Sequence, residues 1–367
     1  VIITKWFKQE KNLLVALAIA VVAYVGEHSI LEMGQGTAMV AAVALIATIV
    51  LASMRVAHHA ETLAVKVGDP YGTMILTLSA VAVEVIILAI MMSGESSPTL
   101  VRDTIYAAVM LDINGILGLA ALLGGLKHGE QPYNDDSSRT YGVMILTAMG
   151  ISMIVPEFIP DAKWHYYSAF TIVAMIALYA LFLRMQVGRH SYFFSYSYPR
   201  SEKKLAAGEA EEHHEEESTT TSIVTILIGV VLIGVLAEFM SAFMDTGLKG
   251  TGAPPAIAAI VVAAISAAPE ILTALRAALR NRMQATVNIA LGASLSTVIL
   301  TVPVMEAIAL YTGQPFMMAM SPVQTVMVMI TLIVAAINLN DGETNAIEGM
   351  THFILFATFI MLTALGL

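Results

Sequence analysis

Two glutamates carry the strongest chemical signal in this sequence. Glu84, in the run SAVAVE, lies about thirteen residues into an apolar segment, and Glu270, in SAAPE, lies in the middle of another. A carboxylate at the centre of a bilayer costs at least about 2.5–3.5 kcal/mol on insertion scales, so acids kept there have work that offsets the cost. In a dry site an unpaired carboxylate holds a proton, and a hard cation arriving at the same oxygens displaces it. That competition is a sufficient physical basis for cation/proton antiport. Hydroxyls and amides flank the acids: Thr77, Ser79 and Asn114 around the first, Ser266, Asn288, Ser294, Ser296 and Thr297 around the second. With carboxylate and carbonyl oxygens they suit Ca2+, or Na+ with fewer charges. Two carboxylates balance one Ca2+, and two protons balance the emptied site. The expected metal-site set is therefore Glu84, Glu270, Thr77, Ser79, Asn114, Ser266, Ser294 and Ser296, for a transported cation with no resident cofactor.

Other polar residues within apolar segments have plainer readings beside functional ones. Asp112, two residues before Asn114, could relay protons or pair with a neighbour. Glu61 and Glu238 are candidate gating carboxylates along an access path. Glu306 falls toward the outer end of its segment, where contact with water accounts for it. Glu348 and His352, spaced i, i+4, could pair with each other. His58 and His59, beside Arg55, fall at a membrane edge, where interfacial solvation explains them better than pH sensing. The 23 methionines are read as core filler. There is no HExxH, no Gly-x-Ser-x-Gly, no Walker loop and no cysteine, so neither an intramembrane protease nor an ATP-driven pump has support, and the chain is not read as an enzyme.

The elements that must hold these residues follow from composition. Of 367 residues 57% are hydrophobic and 13% charged, against about 25% charged in soluble domains. A water-soluble globule would lack the polar side chains to cover itself, and a net charge of −10 argues against a nucleic-acid partner. What remains is an all-α polytopic protein whose partners are the lipid bilayer and small inorganic cations, with a homo-oligomer left open. Eleven segments can span the hydrocarbon: roughly 12–26, 37–54, 71–93, 103–125, 141–159, 166–187, 221–244, 254–279, 285–312, 319–338 and 344–367. The first is short and could be a signal-peptide core, but no small-x-small cleavage site follows it, so an uncleaved span is preferred. With the N-terminus inside, fifteen of the eighteen Lys and Arg fall on the inner side; Arg102, Lys163 and Lys249 fall outside. This bias predicts a cytoplasmic N-terminus and an external C-terminus.

The one long polar stretch, 188–222, holds seven glutamates between Glu202 and Glu217. It reads as a solvated cytoplasmic linker. Its centre (Glu211, Glu212, His213, His214, Glu215, Glu216 and Glu217) could also attract cations. On either side of it the sequence repeats in order: Glu61 and Glu238, Pro70 and Pro254, Ser79-Ala80 and Ser266-Ala267, Glu84 and Glu270, at offsets of 177, 184, 187 and 186. The expected organisation is 1–36 as N-terminal segment and first span, 37–187 as one five-helix repeat, 188–222 as linker, and 223–367 as a second. Five spans per repeat is an odd number, so the two are inverted, an architecture of secondary transporters with sites near the midplane. Pro269 removes a backbone donor beside Glu270 and is expected to free a carbonyl around Ala264 to Ser266; the first repeat has no counterpart.

Three stretches carry a resemblance: RVAHHAETLAVKVGDPYG from Arg55, SPTLVRDTIYAAVM from Ser97, and ALRNRMQATVNIALGASLSTVILTVPV from Ala278. In these, and along nearly its whole length, the chain resembles the calcium/cation antiporter superfamily, in particular bacterial ChaA-type Ca2+/H+ antiporters. The resemblance implies one extra first helix followed by two inverted five-helix repeats. It implies one key acid per repeat at Glu84 and Glu270, with ion-site polar residues near Asn114, Ser294 and Ser296. It also implies that spans two and seven slide to alternate access. Many members carry Gly-Asn shortly before each acid; here those positions are Ala80-Val81 and Ser266-Ala267. ChaA-type members are also associated with Na+/H+ and K+/H+ exchange. The leading expectation is Ca2+/H+ antiport that expels cytosolic Ca2+. The alternative is Na+ (or K+)/H+ antiport on the same fold, and a passive cation channel is more remote.

Overall fold

A computed structural model describes residues 10–67, 71–93, 97–187, 218–314 and 316–367. Pro70 and the acidic run from Glu211 to Glu217 lie outside these residues. The described chain is nearly all helix. It runs through α1 (Lys11–Glu32), α2 (Gln35–Val67), α3 (Tyr71–Ser93), α4 (Leu100–Val109), α5 (Gly118–His128), α6 (Asp135–Met149) and α7 (Trp164–Val187). It continues with α8 (Thr219–Leu248), α9 (Ala256–Ser266), α10 (Ala268–Leu279), α11 (Met283–Ser296), α12 (Val302–Thr312), α13 (Pro322–Asn338) and α14 (Ala346–Ala364). Wide π turns at Met110–Leu117 and Thr297–Thr301 join α4 to α5 and α11 to α12, and a third, Gly150–Ile154, extends α6. Among the described residues, eight helical stretches are long and apolar enough to cross a membrane, and the bent pair α9–α10 makes a ninth candidate. Shorter apolar helices at Thr77–Ser93 and Pro322–Asn338 occupy the other two expected segments. The first segment, read as short, is a full 22-residue helix.

The chain divides into two compact units, each drawing on both sides of the acidic stretch: residues 1–100 with 215–269, and 101–214 with 270–367. In the first unit α2 packs along α8, and α3 lies against both. The reason is written in α2. Ala38, Ala42, Leu45, Ile49, Ala52, Val56, Ala60 and Leu63 are all buried and recur at three- and four-residue steps, so they form one stripe along the helix. Small residues let the backbones close in lipid, where packing rather than the hydrophobic effect drives association. A Cβ on Gly247 of α8 would meet the Met39 backbone at 3.2 Å.

In the second unit the stretch from Leu100 to His128 is the most deeply enclosed, touched by α11, α13 and α14. Gly118 and α14 approach so closely that a Cβ there would lie 2.8 Å from the His352 Cβ and 2.9 Å from the Phe353 nitrogen. Local signals fix the helix starts. Asn134 caps α6 through the Asp136 N–H at 3.0 Å, Ser321 and Gln324 form a capping box on α13, and Asn345 caps α14. A two-residue antiparallel pairing, Gln131–Pro132 with Glu343–Thr344, ties the loop before α6 to the loop before α14.

Loop contacts gather at the ends of each unit. At one end of the second unit, Lys127 Nζ donates to the Leu279 carbonyl at 2.9 Å, Gln131 Nε2 to Ala278 at 2.9 Å, and Arg139 to the Asn340 carbonyl at 2.8 Å. At its other end Arg102 donates to Ala319 at 2.9 Å, and the Met320 N–H to Met153 at 3.0 Å. In the first unit Gln35 reaches the Lys249 carbonyl, while Glu10 joins Arg55 and His59.

The segment 254–279, read as one span, is broken. α9 ends at Ala267, whose N–H donates to Ala263 at 3.0 Å, and α10 departs at 56°. Pro269 cannot donate to the Ile265 carbonyl, so the helix fails at the place the proline dictates.

Candidate functional site

Glu84 is the fourteenth of the 23 residues of α3 and only 3% exposed. Thr77, half-buried, lies seven residues earlier on the same helix face, two turns or about 10 Å along the axis; half-buried Ser79 is turned away from that face. One turn before Glu84 stand Ala80 and Val81, which have no ligand oxygen in their side chains. Glu61 on α2 and Glu238 on α8 are both exposed, although Ala237 and Phe239 beside the latter are buried. The two acids thus lie on outward faces of their helices.

Glu270 is half-buried, one residue after Pro269 and three after the break at Ala267. The Ser266 hydroxyl folds back onto its own helix, donating to the Val262 and Ala263 carbonyls at 3.1 Å each. Ser296 does the same toward Gly292 and Ala293 at 2.9 Å. Such back-bonding occupies the proton and leaves the oxygen lone pairs to accept or ligate. Ser294 is fully buried and donates to Asp112 Oδ2 at 3.1 Å, so two sequence-nominated residues 182 positions apart do meet. Asn288 accepts from Gln284 at 2.9 Å, within a chain that continues to Ser137 at 3.1 Å.

Asn114 is held differently from the expected ligand. Its Nδ2 donates to Thr331 Oγ1 at 2.7 Å, and its Oδ1 lies 2.8 Å from His352 Nδ1. The second contact assigns the imidazole proton to Nδ1, because an amide oxygen can only accept. The carboxamide therefore fastens the π turn to α13 and α14. This also corrects the local pairing of Glu348 with His352: His352 turns to Asn114, and Glu348 accepts from Asn345 Nδ2 at 3.1 Å. No signal in the sequence joins positions 114 and 352.

Two further corrections concern burial. Glu306 is not in water: it is 2% exposed, and its Oε1 accepts from the Ser168 hydroxyl at 3.2 Å. His59 is not an interfacial group either. It is fully buried, with Nε2 3.0 Å from Glu10 Oε1 and Nδ1 3.4 Å from the Ser222 hydroxyl. Glu10, absent from the sequence reading, is 1% exposed and receives both Arg55 Nε, at 2.7 Å to Oε2, and Arg55 Nη2 on Oε1. Burial alone would push the Glu10 carboxyl up, but hydrogen bonds and charge from Arg55 and His59 outweigh it and bring it down to about 2. The Tyr133 hydroxyl, in the loop before α6, is pushed well above its ordinary range by burial and then by nearby acids, Asp341 foremost. Among the described residues no group of three or more His, Cys, Asp or Glu is set to hold a metal ion.

The chain is similar to several known proteins. The profile of the sodium/calcium exchanger protein family matches residues 37–188 and 221–365. The chain is 32% identical to the sodium-potassium/proton antiporter ChaA of Escherichia coli over 331 residues, covering 88% of this chain and 89% of that one. It is 25% identical to the Ca2+/H+ antiporter ChaA of Bacillus subtilis, covering 89% and 91%. Among solved structures it is similar to native YfkE, with a TM-score of 0.75 at 18% identity over 96% of this chain and 99% of that one.

Proposed function

This chain belongs to the sodium/calcium exchanger protein family, and from that premise we propose that it is a membrane cation/proton antiporter whose exchange carboxylates are Glu84 and Glu270. The observation that carries the reading is Glu84, an acid held 3% exposed in the middle of the 23-residue apolar helix α3. Its counterpart in the second half follows a proline-broken helix, where backbone carbonyls can supplement the carboxylate. Cation and proton compete for these oxygens, so the emptied carriers return protonated and the cycle exchanges one for the other. Asp112 with Ser294, and the lone pairs of Ser266 and Ser296, supply neutral or shared oxygens. Thr77 shares the Glu84 face of α3, Ser79 stands off that face, and Asn114 acts by holding the π turn in place. Glu61 and Glu238 gate access. The repeats are 37–187 and 223–367, with the N-terminus cytoplasmic and the C-terminus outside. The meeting of loops at the ends of each unit supports that alternation.

Ca2+ export is the leading reading, since two carboxylates balance one divalent ion. A specific observation favours a monovalent second reading: Ala80-Val81 and Ser266-Ala267 put no amide ligand before either acid, and the Escherichia coli relative is a sodium-potassium/proton antiporter. Sealed vesicles with an imposed pH gradient decide between them. Added Ca2+, Na+ or K+ is expected to dissipate the gradient in wild type, and Glu84→Gln and Glu270→Gln each to lower the rate at least about a hundredfold, roughly 3 kcal/mol of lost coupling. Undiminished exchange in both variants overturns the site, and a response to Na+ with none to Ca2+ overturns the leading ion.

A further inference from the structure

We propose that Glu306 and Ser168 form a second proton-binding site, separate from the exchange carboxylates, which loads from the end at which α7 begins and α12 finishes. The proposal rests on the antiport reading for its role in transport, but not for its existence.

Three observations lead to it. Glu306 is 2% exposed within a membrane-length stretch, so an ionised form there has lost its water. Its Oε1 has one neutral donor, the Ser168 hydroxyl at 3.2 Å, and its buried Oε2 has no hydrogen-bond partner among the described residues. Among the described residues neither oxygen has a cationic partner. The elements packed against α12 are α7 and the Thr297–Thr301 turn. From α7 the titratable side chains are His165 and Tyr166, both exposed, Tyr167, whose hydroxyl donates to Ile151 at 2.7 Å, and Tyr179 further along, with Arg184 at the far end and Lys163 just before the helix. The π turn brings only the hydroxyls of Thr297 and Thr301, and α12 itself adds the exposed Tyr311. None of these is an ion-pair partner of Glu306.

A carboxylate left with one neutral hydrogen bond in such surroundings is strongly disfavoured, whereas the carboxylic acid needs no counter-charge. Adding one proton at Oε2 makes the group neutral and leaves Oε1 to accept from Ser168. Position supplies the direction of loading. Ser168 lies four residues, about 6 Å, from the start of α7, and Glu306 six residues, about 9 Å, from the end of α12. A proton from that side travels less than two helical turns to reach Oε2. If α7 begins outside, as the alternation of spans expects, this is the side from which an exporter of cations draws its protons.

Dicyclohexylcarbodiimide tests occupancy directly. It takes the proton of a buried carboxylic acid on nitrogen while the carboxyl oxygen bonds to its central carbon, and the adduct rearranges to a stable N-acylurea. The full chain in proteoliposomes is treated between about pH 6 and 9 and its peptides are mapped by mass spectrometry. An adduct on Glu306 that falls as pH rises, lost in Glu306→Gln, is expected. Glu306→Gln is also expected to slow exchange about tenfold and to flatten its dependence on the pH of the loading side, with Glu306→Asp restoring both in part. No adduct on wild-type Glu306 across that range, or a Glu306→Gln variant with the rate and pH profile of wild type, overturns the proposal. Labelling is read without any transport. If Glu84→Gln and Glu270→Gln exchange normally, the exchange site fails while the Glu306 adduct still reports the second site.

Discussion

Glu10 and Glu306 are buried to the same degree, 1% and 2% exposed, yet the molecule solves their burial in opposite ways. At Glu10, on the first unit, both carboxylate oxygens are engaged by Arg55, and His59 adds a further contact, so the negative charge is kept and balanced. At Glu306, on the second unit, a single serine hydroxyl answers one oxygen. The difference teaches that burial by itself does not mark a working acid. A buried carboxylate with a guanidinium is a fastening, here between the start of α1, the C-terminal half of α2 and the start of α8. A buried carboxyl without a cation can change its charge without breaking anything around it.

That contrast can be broken in several ways. The largest effect is expected from Arg55→Met, which strands Glu10 without its counter-charge; removing one member of a buried pair costs about 3–5 kcal/mol, read as a large fall in thermal unfolding temperature in detergent. A variant as stable as wild type would mean that the cluster fastens nothing. Glu10→Gln should cost less, about 1–3 kcal/mol, since it removes the charge but keeps an acceptor. It also carries a pH signature. The folded carboxyl lies at about 2 against an ordinary 4.5, so its stabilisation is complete above 4.5 and is lost as pH falls toward 2. Wild type should lose stability through that window more steeply than Glu10→Gln, and equal slopes would sink the assignment. Glu306→Gln, which is neutral and nearly isosteric, should change stability by less than about 1 kcal/mol while changing transport. A loss as large as that of Arg55→Met would make Glu306 another fastening. The smallest effect is expected from Ser168→Ala, about 1 kcal/mol or less in stability, with the pH profile of exchange shifted but not flattened.

How much of this was legible in the sequence depended on the range of the interaction. Hydropathy found the apolar segments, because crossing a bilayer is a property of about 20 consecutive residues. The break beside Glu270 was legible too, since Pro269 acts on its own helix. Glu306 was misread because distance along a segment says nothing of which face is covered, and Ser168, its partner, is 138 residues away. The i, i+4 rule offered Glu348 to His352, but the close approach at Gly118 brings another helix within reach, and Asn114 takes the ring instead. Glu10 carried only a faint signal, an acid in a basic N-terminal run, and its meaning depends on Arg55, His59 and Ser222.

The wide π turns in the second unit have a consequence for how its helices are read as text. Each lets in a residue that the α-helical count does not expect, so everything downstream is rotated by about 100° relative to the frame upstream. The stretch from Leu100 to His128 is therefore two messages out of phase. One is written for the partners of α4, the other for the partners of α5, and Asp112 and Asn114 lie where the phase slips. Deleting a single residue between Met110 and Leu117 would restore one frame along the whole helix. It would turn the Gly118 face away from α14 without altering a single side chain on either.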